Sequence, residues 1–148
     1  MELRYFRQRY AMTRFQYILK AKDGYSIQSP FVYDLYYNVL TARLDKECMR
    51  KNHLSGSDIH GQLLYKILDH YNAREIEDTY TWLSTDKTIV MPDGSMIGLL
   101  YTPHSDKEKE KIWEEVWRNT EVTVSVDIYH TGIIFSSKKL SKQHFLLR

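Results

Sequence analysis

The stretch TIVMPDGSMIGLLYT, residues 88–102, decides whether this 148-residue chain contains a sheet. Its two apolar runs flank Pro92-Asp93-Gly94-Ser95. Those residues supply a fixed φ, a side chain that bonds its own backbone, and a position free to take positive φ, which are the needs of a tight turn. The arrangement predicts two strands joined as a hairpin. Downstream, Val122, Val124, Val126 and Ile128 alternate with Thr123, Ser125 and Asp127, the period of a strand with one face in the core and the other in water. His130-Thr131-Gly132 then turns into GIIFSS, and after the polar loop KKLSK the run QHFLLR predicts a last strand. The C-terminal strands are expected to form an antiparallel hairpin.

Helices are expected between and before these strands. Ser105-Asp106-Lys107-Glu108 has the form of a capping box, and Ile112, Trp113, Val116 and Trp117 give the helix it opens a wide apolar stripe. Ser29-Pro30 predicts an N-cap followed by proline at the first helical position. Phe31, Val32, Leu35, Tyr36, Val39 and Leu40 then form one buried stripe, with Tyr33, Asp34 and Tyr37 at its flanks. A further helix, capped by Ser57 or Asp58, is expected to bury Leu63, Leu64, Ile67, Leu68 and Tyr71. Residues 3–19 place Leu3, Phe6, Tyr10, Phe15, Ile18 and Leu19 at mostly helical spacing, with arginines between them, and predict an amphipathic helix with a basic outer face. AREIEDTYTWLSTDK, residues 73–87, fits neither period.

The composition is that of an ordinary globular chain, 43% hydrophobic and 27% charged, which argues against disordered and fibrous classes. Its length suits a single cooperative domain, with a helical region over 1–50 and an α/β region over 51–148. A net charge of +2 gives no general pull toward nucleic acid. Arg4, Arg7, Arg9 and Arg14, with Tyr5 and Phe6, could grip a nucleic acid, but a solvated basic face is the simpler reading. The one cysteine, Cys48, suits a reducing compartment, and no apolar run approaches the roughly 20 residues of a membrane span, so a cytoplasmic protein is expected.

Chemistry-bearing residues are scattered. The six histidines form no H-x-x-x-H or H-E-x-x-H pair, so no metal site is expected. The serines lack a G-x-S-x-G context, and Cys48 has no neighbouring base.

Three segments resemble one family. YILKAKDGYSIQSPFVYDL (17–35), GQLLYKILDHYNAREI (61–76) and the tract from Lys107 to Arg148 are similar to the N-terminal signature, the helix before the first strand, and the last helix and strands of class I S-adenosylmethionine-dependent methyltransferases of a kind found mostly in Bacteroidetes. The resemblance implies an α/β protein with N-terminal helices packed on a small mixed sheet, a partial Rossmann-like fold. It also implies losses. Where the family has a glycine-rich turn against the cofactor, this chain reads Glu77-Asp78-Thr79-Tyr80-Thr81-Trp82, without the glycine that lets backbone N–H groups approach a ligand. Family histidines before S-P-F are replaced by Tyr25 and Gln28, and an acidic pair near the last helix is gone from Leu100-Tyr101-Thr102-Pro103-His104-Ser105. The strands and helices that should lie between Gly94 and that segment have no sequence to occupy.

The resemblance therefore implies a protein that has lost its cofactor loop and no longer methylates, serving as a binding or assembly module with no cofactor. The alternative is an S-adenosylmethionine-dependent methyltransferase whose site another subunit completes. Under that alternative Glu77, Asp78, Asp93 and Gly94 are the cofactor-binding candidates and His104 the catalytic one, since its family counterpart adjoins the active-site strand. Asp93 is otherwise explained by its turn, and His104 by the loop before a helix. A missing middle would leave an uncovered edge or apolar face, so a homodimer is expected.

Overall fold

A computed structural model describes residues 12–22, 27–76 and 82–147. Six strands form one mixed sheet: β1 (Arg74–Glu75), β2 (Lys87–Val90), β3 (Met96–Tyr101), β4 (Val124–Asp127), β5 (Thr131–Phe135) and β6 (Gln143–Leu146), in the order β1-β2-β3-β5-β4-β6. The Pro92–Ser95 turn closes the expected hairpin, pairing Val90 with Met96 and Lys87 with Leu99. Gly94 sits at φ 87°, and Asp93 Oδ1 accepts from the Ser95 N–H at 2.9 Å. The turn residues thus work as their chemistry predicts.

Among the described residues five helical segments surround the sheet: α1 (Arg14–Lys20), α2 (Pro30–Leu35, continued as a π turn over Tyr36–Leu40), α3 (Lys46–Lys51), α4 (Ile59–His70) and α5 (Lys107–Arg118). Ser29 caps α2, and Asp58, not Ser57, caps α4. Their stripes seat Val32, Leu35, Val39, Leu63 and Ile67 on one sheet face, against Ile97, Leu99, Val124, Val126, Ile133 and Phe135. This core joins residues from 1–50 with residues from 51–148. Each such buried side chain contributes about 1.5–3 kcal/mol. Exposed Tyr33 and Tyr37 flank the stripe as predicted.

The other face is covered by α5. Both β3 and β4 pair antiparallel with β5, so they run parallel to each other with β5 between them, and α5 makes the crossover. Trp113 and Val116 pack with Trp82, Leu100, Val122 and Ile134. Gly132 is required here, because a Cβ at that position would lie 2.4 Å from the Trp113 ring.

Four expectations are corrected. The α5 cap is Asp106, which accepts from the Lys109 N–H at 2.7 Å, so the Ser105–Glu108 box does not form. The C-terminal antiparallel hairpin forms between β4 and β5, but the last strand lies outside it, because β6 pairs parallel with β4. Residues Ser125 and Asp127 do not face water: they are 1% and 2% exposed, because α5 and α1 cover the face that alternation assigned to solvent. In α1, Phe15 and Leu19 are 71% and 70% exposed while Tyr17 is buried, so the helix is turned away from its predicted stripe. The remainder of the predicted N-terminal helix, with Arg4, Tyr5, Phe6, Arg7 and Arg9, lies outside the described residues, as do Tyr25, Glu77 and Asp78.

Candidate functional site

Asp127 ends β4, and its side chain points to the face covered by α1 and α5. A carboxylate buried there needs partners, since desolvating an unpaired charge is prohibitive. His104 supplies one. Beyond β3, Thr102 adopts φ 49° and the Ser105 N–H donates to the Thr102 carbonyl, a turn that aims the His104 ring inward. Its Nε2 lies 2.5 Å from Asp127 Oδ2, and its Nδ1 lies 2.6 Å from Glu110 Oε2 in the first turn of α5. The His104 side chain is only 5% exposed.

The N-terminal segment closes this cluster. The Tyr17 hydroxyl shares its single proton between the backbone carbonyls of Asp127 and Leu147. The Met12 N–H donates to Glu110 Oε2 at 3.1 Å. Tyr129, at φ 74°, donates its N–H to Asp127 Oδ1 at 2.8 Å and lays its ring parallel to His104, with centroids 5.4 Å apart. Arg14 covers the Tyr129 ring at 4.9 Å.

The geometry fixes the chemistry. Each ring nitrogen of His104 faces a carboxylate oxygen, so the imidazolium, donating at both, satisfies the site. Burial pulls the His104 pKa down, but the hydrogen bonds and charges of Asp127, then of Glu110, more than offset it and leave it raised. A ring with both nitrogens protonated has no lone pair to act as a base. It ties the β3–α5 turn, α5 and β4 together.

Asp93 and Gly94 occupy the opposite end of β3, roughly 20 Å away along a six-residue strand. The fold does not bring them to His104. Asp93 also accepts from the Ser95 hydroxyl at 2.5 Å, and that bond, with the Ser95 N–H, holds its carboxyl below the usual range.

The remaining polar pairs are structural. Ser125 Oγ is 2.6 Å from His144 Nδ1, but Ser125 is buried and His144 is stacked on Trp117 at 3.9 Å. Burial pushes both His144 and His130 down to about 4, so each is neutral near pH 7. Among the described residues no group of three or more His, Cys, Asp or Glu side chains is set to hold a metal ion.

Glu110, Asp127 and Tyr17 did not stand out in the sequence. Glu110 reads as one charge in a charged helix, Asp127 as the solvent side of an alternating strand, and Tyr17 as a residue beside an apolar stripe. The one available signal was His104 itself, in a loop between two predicted elements. No family model, curated protein or solved structure matches the chain. Among the described residues no helix is long and apolar enough to cross a membrane.

Proposed function

We propose that the chain is a methyltransferase-like protein that no longer transfers methyl groups and acts as a binding or assembly module in the cytoplasm. The observation that carries this reading is the engagement of both His104 nitrogens by carboxylates, the buried Asp127 and the half-buried Glu110, which removes the one titratable group the resemblance puts beside an active-site strand. Trp82 supports it further. This residue stands where the resemblance implies a glycine-rich turn, and its side chain is packed into the second core. An indole in that place fills the space a cofactor would need.

Assembly through a homodimer is the simplest form of the reading. Edge pairing offers little, because β1 has two residues and Leu147, just beyond β6, is already bridged to Lys22. The exposed Tyr33 and Tyr37 of α2 and Phe15 and Leu19 of α1 provide apolar area for packing across a two-fold axis.

Thermal unfolding with 1 mM S-adenosylmethionine or S-adenosylhomocysteine tests the loss of the cofactor. A ligand at about 100 times its Kd adds about 2.7 kcal/mol, enough to raise Tm by several degrees. No shift is expected. A rise of that size favours the methyltransferase alternative. Light scattering after size exclusion is expected to give twice the 17.7 kDa chain mass, and a monomer contradicts the dimer.

A further inference from the structure

Because β6 lies outside β4 while β5 lies inside it, residues 136–142 must pass under the start of β4 to link the two. This connection is firmly held. The Ser136 N–H donates to the Met96 carbonyl at 3.0 Å, and Ser136 Oγ accepts from the Met96 N–H at 2.8 Å. Leu140 packs against the core. At the far end the Lys142 ammonium donates to the carbonyls of Trp117, Asn119 and Val122 at 2.7–2.9 Å.

Between these anchors the side chains of Lys138 and Lys139 remain exposed. Among the described residues neither ammonium makes an ion pair, unlike Lys51, Lys87 and Lys109. Both border a cavity of about 470 Å³ between this loop and the Pro92–Ser95 turn, with Ser95 and Ser137 on its walls. Asp93, also on the wall, spends its Oδ1 on Ser95, and the nearby Lys139 charge helps to hold its carboxyl low. Lys139 also borders a second cavity, of about 320 Å³, with Gln28, Ser29 and Ser141 beside it. Two ammonium groups and one carboxylate border the first cavity, hydroxyls and amides line the rest, and among the described residues no aromatic side chain lines either cavity.

We propose that the larger of these two cavities, at the β5–β6 loop, is a binding site for a small phosphorylated molecule with a polar, hydroxyl-bearing body, gripped by Lys138 and Lys139. A backbone already anchored at Ser136, Leu140 and Lys142 loses little freedom on binding, which favours affinity. Lysine serves as a point charge for phosphate, and serine hydroxyls complete its hydrogen bonds. This cavity is set between two loops, which suits a soluble ester over a lipid headgroup.

The proposal is independent of the reading above, because its probes contain no S-adenosyl group. Glycerol 3-phosphate and inorganic phosphate are titrated into the full chain by calorimetry. Millimolar or tighter binding of glycerol 3-phosphate, tighter than that of phosphate, is expected. The double variant Lys138→Ala, Lys139→Ala should weaken it at least about tenfold, while Lys51→Ala on α3 leaves it unchanged. Circular dichroism checks that the double variant keeps its fold. No binding at 20-fold higher concentrations, equal binding by the double variant, or co-sedimentation with phosphatidic acid vesicles without binding to the soluble ester would each overturn the proposal.

Discussion

His104 carries the electrostatics of the molecule. With its folded pKa raised, its interaction with Asp127 and Glu110 is fully present below the unfolded value of about 6.5 and is lost as pH rises through the folded value. The neutral His130 and His144 act in the other direction. Their folded pKa values are depressed to about 4, so their contribution is present above about 6.5 and is lost as pH falls from there toward 4. Urea unfolding from pH 5 to 10 should therefore show a stability maximum near neutrality, and the decline on the alkaline side should flatten in His104→Gln. Asp127→Ala leaves a buried imidazolium facing one carboxylate only and should cost about 3–5 kcal/mol, read from the urea midpoint. An effect below about 1 kcal/mol would remove Asp127 from the cluster. None of this partnership was legible in the sequence. The spacing from His104 to Glu110 and Asp127 means nothing until the turn at Thr102 and the β3–α5–β4 crossover place the three side chains together.

Elements whose signals are local read correctly from the sequence. The β2–β3 hairpin depends on Asp93 and Gly94, α2 on Ser29-Pro30, and α4 on Asp58 and an unbroken stripe, all within a few residues of what they shape. Elements placed by distant partners did not. The orientation of α1 is set by the Tyr17 hydroxyl reaching Asp127 and Leu147, more than 100 residues away, and this outweighs the burial that Phe15 and Leu19 would gain by turning inward. Tyr17→Phe removes the hydroxyl donor from the Leu147 carbonyl, while the Asp127 carbonyl still accepts from the Leu147 N–H, and should cost about 1–3 kcal/mol. Faster hydrogen exchange at the Ala21 and Lys22 amides, with β3 and β5 unchanged, would show α1 loosening alone. The parallel pairing of β6 is equally nonlocal. The contact of α5 with β5 can be tested at Gly132: Gly132→Ala pushes a Cβ into Trp113 and should cost about 1–3 kcal/mol. Combined with Trp113→Leu, its cost should fall below the sum of the two single effects.

At the scale of the whole molecule, a six-stranded mixed sheet is covered by α2 and α4 on one face and by α5 and α1 on the other. The expectation of helices packed on a small mixed sheet is met. Among the described strands only β4 and β6 pair parallel, with an isolated parallel bridge from Lys22 to Leu147, and the other pairings are antiparallel. Within this frame the indole of Trp82 fills a core, and the histidine nearest the β3 end holds the fold together. The proposal that the chain holds no S-adenosylmethionine site stands or falls on ligand binding. Its most direct test is isothermal titration of S-adenosylhomocysteine into the protein at neutral pH. No heat of binding is expected at millimolar ligand, and a saturable isotherm with a micromolar Kd would contradict the proposal.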